Sequence, residues 1–176
     1  LLLVAQSVIL AVGALGVFAV ARRRLGDERL AVAFAGLYLL NPSLHGVNLR
    51  DFHPAALAIA LIPISVACIE AHRPGWFLLT VLLVLSTRED AAIAVIGLGL
   101  WVVLSHRRWV WGAGLAFLGL SWLFFTTGWL MPHFREGPYP HLHRFAHLGS
   151  SLGEIFLSFF TRPAEALAFM ISGRRL

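Results

Sequence analysis

The chain has 176 residues, of which 59% are hydrophobic and only 13% charged, and its mean hydropathy is +0.79. Soluble domains carry about 45–50% apolar and about 25% charged residues. This composition excludes a disordered chain, argues against an ordinary soluble globule and indicates a membrane protein. All 14 basic residues are arginines and the net charge is +5. We assign the arginines to helix ends that face anionic lipid head groups, and we expect membrane lipid rather than nucleic acid as a partner.

Six apolar runs follow one another along the chain, separated by polar or proline-containing stretches. They span residues 1–21, 30–40, 54–69, 76–86, 91–105 and 109–131. About 20 helical residues cross a bilayer, whereas the run 30–40 gives only about 16 Å of helix. The sequence therefore predicts an all-α fold, a single transmembrane domain over 1–176. We expect a helix bundle with about six membrane segments, some short or re-entrant, and a C-terminal interfacial helical region.

The polar stretch 87–90, with three charged residues, bears on the path of the chain between residues 76 and 105. One long helix would bury Arg88, Glu89 and Asp90 midway through the bilayer, at about 2.5–3.5 kcal/mol each. A hairpin with these residues at its tip avoids that cost. If 22–29 is cytoplasmic, hairpin parity places seven arginines on the cytoplasmic side and four in the opposite loops, which is the positive-inside bias. We therefore expect a multi-pass protein of the inner (plasma) membrane, whose outer loops are residues 41–53, 87–90 and 132–151.

The first candidate site lies in the segment before Pro54. Asp51 and His53 are two residues apart, and Pro54 can open a helix at its first turn. One interpretation is a carboxylate and an imidazole at the mouth of a cavity, acting as a base, a metal ligand or a sugar contact. The alternative is that Asp51 caps the helix that starts at Pro54 while His53 lies among lipid head groups.

The second candidate site is the triplet Arg88, Glu89 and Asp90, which has apolar runs on both sides. The arginine is suited to a phosphate or pyrophosphate, and a neighbouring carboxylate is suited to orient a sugar hydroxyl or to act as a base. The alternative is structural. Asp90 and Glu89 would cap the helix that follows, and Arg88 would neutralise them.

The third candidate site is the polar segment 133–147, which holds four histidines. Their spacing is not that of a zinc finger and no cysteine accompanies them, although His143 and His147 lie four residues apart and could share a helical face. We predict no cofactor here, with a divalent metal as the lesser alternative. We favour an anionic head group held by Arg135 and Arg144 beside His133, against an interfacial loop with no ligand.

Several strings together resemble the bacterial membrane protein family DUF2079. Among them are Asn48-Leu49-Arg50-Asp51-Phe52-His53-Pro54, Arg88-Glu89-Asp90-Ala91-Ala92 and Arg144-Phe145-Ala146-His147-Leu148-Gly149-Ser150-Ser151. The Asp-Phe-His-Pro and Arg-Glu-Asp strings are fairly specific together. The resemblance covers essentially the whole chain. It implies a fold similar to the C-type glycosyltransferases, multi-helix membrane enzymes that use polyprenyl-phosphate-linked sugars at the outer face. By that analogy, the two charged loops around Asp51 and Arg88 line an outer cavity for such a substrate.

The resemblance also implies where the catalytic base lies. Family members carry an acidic motif after their first membrane helix, a position that falls upstream of Leu1, so we expect the fragment to be inactive alone. In the full-length enzyme, Arg88 or Arg135 would stabilise the phosphate leaving group. The alternative is a transporter or a lipid-binding membrane protein with its site between broken helices, and a structural membrane subunit is a third reading. The depth of the site in the bilayer distinguishes the enzyme from the transporter. A site at the outer interface favours lipid-sugar chemistry, and a site at the bilayer midplane favours transport.

Overall fold

The computed structural model describes residues 1–49, 51–135, 148–149 and 152–164, and within these ranges the regular structure is entirely helical. The elements are α1 (Leu2–Leu25), α2 (Glu28–Leu39), α3 (Pro42–Asn48), α4 (Ala55–Glu70), α5 (Pro74–Leu85), α6 (Ala91–His106), α7 (Trp109–Phe125), a π-helical turn (Thr126–Leu130), α8 (Met131–Arg135) and α9 (Leu152–Thr161). All six apolar runs are helical. The predicted all-α fold is confirmed.

Local signals in the sequence explain where several helices start and stop. The arginines 22–24 form the last turn of α1, where positive charge is favourable, and Gly26 ends the helix with a φ of 68°. Asp27 then caps α2 by accepting from the backbone N–H groups of Arg29 and Leu30. Helix α1 is thus longer than the predicted run 1–21.

Two predicted loops contain helices. Residues 41–53 include α3, because Asn41 caps the backbone N–H of Ser43 and proline occupies the first turn. The predicted loop 132–151 begins inside α8. These short polar stretches lack the apolar periodicity of an amphipathic helix, and for that reason the sequence predicts them as loops.

Among the described residues, two helices are long and apolar enough to cross a membrane, Leu2–Leu25 and Trp109–Phe134. A third span results if Glu28–Leu39 and Pro42–Asn48, bent by 48° at their break, act as one. Helices α4, α5 and α6 are apolar but only 12–16 residues long. These three helices agree with the prediction that some membrane segments are short. Together with the longer helices, they are the helices of a membrane protein.

The chain divides into two compact units, Leu1–Phe124 and Phe125–Leu176. In the first unit, α1 packs against α2 and α4, and α4 packs against α5. Its largest apolar core joins α5 and α6 with Ile69 of α4 and Leu115 of α7. In the second unit, Leu148 packs against Ile155 of α9. Residues 152–161 are helical as predicted, and their interfacial position stays a prediction.

Glycines bring the helix backbones of the first unit into direct contact. A Cβ atom added at Gly16 of α1 would lie 2.7 Å from the backbone of Pro63 and Ile64 in α4. One added at Gly99 of α6 would lie 2.7 Å from the carbonyl oxygen of Gly112 in α7. Small residues allow this close approach, which supplies much of the packing energy between helices in lipid.

The first unit has two chemically different ends. At one of them the final turns of α1, α4 and α6 meet, because Arg24 forms an ion pair with Glu70 and His106 Nε2 lies 3.4 Å from the same carboxylate oxygen. We call residues 22–29, 70–75 and 106–108 the basic end. The turn between α5 and α6 lies away from it, so the predicted hairpin tipped by residues 87–90 is confirmed.

Candidate functional site

A buried glutamine anchors the loop that carries Asp51 and His53. Gln6 of α1 is fully buried; its Nε2 donates to the carbonyl oxygen of Val47 at 3.0 Å, and its Oε1 accepts from the backbone N–H of His53 at 2.9 Å. Ser7 adds a hydrogen bond from its Oγ to Asn48 Oδ1 at 2.8 Å. The sequence patterns do not single out Gln6. The feature that could have revealed it is an amide within an apolar membrane run, which is costly to bury unless it is hydrogen-bonded.

The imidazole of His53 is oriented by the backbone of its own loop. Its Nδ1 lies 2.5 Å from the carbonyl oxygen of Asp51, which can only accept, so Nδ1 is the donor in this contact. His53 is half-buried and Asp51 is exposed. A neutral imidazole in this form suits a general base or a contact to a substrate hydroxyl.

The capping interpretation of Asp51 is wrong. Helix α4 begins after Pro54 with no side-chain cap, and its first N–H groups are instead bonded by the carbonyl oxygens of His53 and Pro54. The Asp51 carboxylate is exposed and takes no part in the start of the helix. The carboxylate of Asp51 is therefore available to a ligand.

Arg88 and Asp90 form a side-on ion pair. Arg88 Nε donates to Asp90 Oδ1 at 3.0 Å, and Nη2 lies 2.9 Å from Oδ2. Asp90 occupies the N-cap position of α6 but makes no cap hydrogen bond with its side chain, so the capping interpretation is wrong for this residue too. The predicted neutralisation by Arg88 is confirmed. Both side chains remain about half exposed, at 42% and 54%.

An apolar groove connects the two charged segments. It encloses about 480 Å³ between α1, α4 and α5, and its lining is mostly aliphatic. Pro54, which follows His53, and Thr87, which precedes Arg88, both line it. The Asp51–His53 segment and the Arg88–Asp90 pair therefore lie at the same end of the first unit, which we call the carboxylate end. That this end faces the outer side of the membrane stays a prediction.

The second unit contains the third candidate site only in part. His133 continues a row of stacked rings, with its centroid 5.5 Å from that of Trp129, which in turn lies 5.2 Å from Phe125. Arg135 ends α8, and Arg144, His143 and His147 lie outside the described residues. The structure describes no group of three or more histidine, cysteine, aspartate or glutamate side chains that could hold a metal ion. Binding of an anionic head group here stays a prediction.

A π-helical turn carries Trp129, the middle ring of this row. Residues 126–130 depart from α-helical hydrogen bonding, and both Thr126 and Thr127 are buried there. Such turns occur often at functional sites. Nothing in the apolar periodicity of 109–131 predicted it, because one extra residue in a turn leaves the composition of the run unchanged.

Comparison with known proteins shows which family this chain belongs to. Neither a curated protein nor a solved structure matches the chain. The model of one family, described as a predicted membrane protein, matches residues 1–172. Because that match covers nearly the whole chain, and the helices able to span a membrane agree with the description, the chain belongs to the DUF2079 family of predicted membrane proteins.

Proposed function

We propose that this chain binds the phosphate of a lipid-linked sugar at its carboxylate end and serves a membrane glycosyltransferase. The observation that carries the proposal is the placement of the Arg88–Asp90 pair beside an apolar groove with Pro54 and Thr87 in its lining. A polyprenyl-phosphate-linked sugar has the matching chemistry, since a long apolar chain ends in a phosphate and a polar sugar.

Arg88 retains hydrogen-bond donors for a phosphate. A guanidinium carries five N–H donors. The side-on pair with Asp90 uses the Nε and Nη2 groups, which leaves three N–H donors directed away from the carboxylate. Arginine recognises phosphate through such paired donors, and Asp90 would hold the guanidinium in one orientation for it.

The groove supports the apolar part of the same ligand. Its volume of about 480 Å³ lies within the range of about 300–1,000 Å³ that small-molecule sites occupy. Its walls include Ile9, Leu57 and Leu83, with Ser86 and Thr87 as its polar members. A lipid chain lying along these walls would bring its phosphate to the turn that carries Arg88.

The proposed reaction is transfer of the sugar from the lipid phosphate to an acceptor hydroxyl. The acceptor oxygen forms a bond to the anomeric carbon, the bond from that carbon to the phosphate oxygen breaks, and the phosphate leaves with the electron pair. Arg88 or Arg135 would stabilise the charge on the leaving phosphate. Asp51, His53 and Glu89 would orient hydroxyl groups. The acceptor's proton would pass to the carboxylate base that the resemblance to the C-type glycosyltransferases implies, and no residue of this chain is proposed for that role.

A transporter is the second candidate, favoured by the 48° break between α2 and α3, because transporters place substrate sites at broken helices. Depth argues against it. The acidic and basic residues of the first unit lie at helix ends and in turns, and residues 55–69 and 91–105 contain no Asp, Glu, Lys or Arg. Chemistry at a membrane interface therefore fits the charges better than a midplane site does.

The experiment is native mass spectrometry of the gently purified full-length protein, to identify the lipid that accompanies it. A polyprenyl phosphate or its glycoside, weakened by Arg88→Ala but not by Arg22→Ala at the basic end, is the expected result. In the same protein, Asp90→Asn should abolish transfer while membrane insertion is retained. Ordinary phospholipid alone, bound equally by both arginine variants, would contradict the proposal.

A further inference from the structure

We propose that the basic end holds a second, separate site, which binds the phosphate head group of an anionic phospholipid. A cavity of about 230 Å³ lies between the turn joining α4 to α5 and the turn joining α6 to α7. His72 and Arg73 of the first turn and Arg108 of the second line it, with Phe77 and Trp111 as aromatic walls. Two guanidinium groups and an imidazole thus converge on one cavity.

The positive charge of this cavity has no counter-ion among the described residues. Glu70, the nearest carboxylate in sequence, is engaged by Arg24, and Arg23 Nη1 donates to its backbone oxygen at 2.9 Å. Within the part of the chain that the structure describes, neither Arg73 nor Arg108 forms an ion pair or a side-chain hydrogen bond. Basic pockets between membrane helices are the usual binding sites of anionic head groups.

The backbone of both turns is held in a conformation that side chains other than glycine seldom adopt. His72 has a φ of 55° and Arg107 a φ of 53°, and no other described residue apart from glycine has a positive φ. These two residues stand immediately before Arg73 and Arg108. The left-handed residues make each turn tight, and so fix the direction from which each arginine enters the cavity.

The surroundings of the cavity place it at the depth of lipid head groups. Trp76, Trp109 and Trp111 are exposed at the starts of α5 and α7, and exposed tryptophans mark the boundary between hydrocarbon and head groups. Arg73 also lines a second groove, of about 410 Å³, which runs along α1 and α4 and includes Arg23. That groove has apolar walls such as Leu15 and Ile64.

The two cavities together identify a lipid rather than a soluble phosphate. A phosphate between Arg73 and Arg108 accounts for the charged cavity alone. The apolar groove that continues from Arg73 matches an acyl chain attached to that phosphate. We therefore commit to a phosphodiester-linked anionic lipid, with phosphatidylglycerol as the probe.

The test is a lipid titration of the full-length protein in detergent, followed by native mass spectrometry with phosphatidylglycerol and, separately, phosphatidylcholine. The double variant Arg73→Gln, Arg108→Gln should bind phosphatidylglycerol about 30-fold more weakly, since each arginine near the membrane surface contributes about fivefold. The matched control Arg22→Gln, Arg29→Gln removes the same charge from the same end, but neither residue lines either cavity, so it should weaken binding clearly less than the cavity double variant does.

Further variants and a competing ligand distinguish binding at this site from general attraction to positive charge and from binding at the carboxylate end. Arg73→Lys with Arg108→Lys should restore most of the binding, and Arg88→Ala should leave it unchanged. Equal losses in the two double glutamine variants would overturn the proposal, as would equal binding of phosphatidylcholine. Displacement of the lipid by millimolar glycerol phosphate would show that a soluble phosphate is the ligand, and would overturn it as well.

Discussion

The contact between α6 and α7 predicts opposite effects for two glycines that lie two residues apart. A Cβ added at Gly99 would lie 2.7 Å from the carbonyl oxygen of Gly112 and 3.0 Å from the backbone nitrogen of Ala116. Both are backbone atoms, so neither can rotate away. At Gly97 nothing lies within 4 Å of the added atom. The two positions share a helix and a residue type and differ only in the face on which they lie.

The magnitudes follow from two opposing terms. Replacing a helical glycine with alanine stabilises by about 0.5–1 kcal/mol, because glycine loses more backbone entropy on folding. Overpacking against an unyielding neighbour costs about 1–3 kcal/mol. Gly97→Ala should therefore stabilise the protein by about 0.5–1 kcal/mol, and Gly99→Ala should destabilise it by about 1–2 kcal/mol.

Thermal unfolding in detergent, followed by intrinsic tryptophan fluorescence, measures this difference. At about 2–4 °C per kcal/mol for a chain of this size, Tm should rise slightly for Gly97→Ala and fall by several degrees for Gly99→Ala. Gly114→Ala and Gly112→Ala on α7 form a second matched pair, since only Gly112 faces α6. Shifts of the same sign and size for Gly97→Ala and Gly99→Ala would refute the assigned packing of α6 on α7.

Three further changes test the contacts that hold the first unit together. Gln6→Leu should destabilise by about 2 kcal/mol in thermal unfolding, because it leaves two backbone partners without hydrogen bonds, and an unchanged Tm would contradict that contact. A double-mutant cycle of Glu70→Gln with Arg24→Gln should give a coupling of about 0.2–1 kcal/mol, since Arg24 is half exposed; a coupling above about 3 kcal/mol would contradict this half-exposed pair. Thr80→Val removes a 2.9 Å hydrogen bond to Ser65 and should cost about 0.6 kcal/mol, a value that a loss above 3 kcal/mol would rule out.

The helical segments and the hairpin could be predicted because their signals are local and strong. Apolar runs fix where helices form, and the cost of burying the 87–90 charges fixes the hairpin. Hairpin parity predicts that the basic turns share one side; the contacts of Glu70 with Arg24 and His106 bring them to one end of the first unit, and the cytoplasmic location of that end stays a prediction. These predictions needed only the order of the residues and general energies.

Capping and anchoring could not be predicted, because they depend on which groups meet in space. Asp90 is placed to cap α6, but a guanidinium two residues away takes its carboxylate instead. The role of Gln6 requires Val47 and His53 to lie beside α1, and these residues are more than 40 positions away from Gln6 in the sequence. The amide of Gln6 within an apolar run indicates that it has a partner, but composition and periodicity do not identify that partner or the partner of Asp90.

The measurement that tests the central claim most directly is photo-crosslinking of the full-length protein with a polyprenyl phosphate that carries a diazirine on its chain, mapped by peptide mass spectrometry. The account predicts labels on the groove of the carboxylate end, on peptides that contain residues 54–64 and 83–87, and their loss when unlabelled polyprenyl phosphate competes. Labels confined to the basic end, or spread evenly over the helices and insensitive to competition, would contradict it.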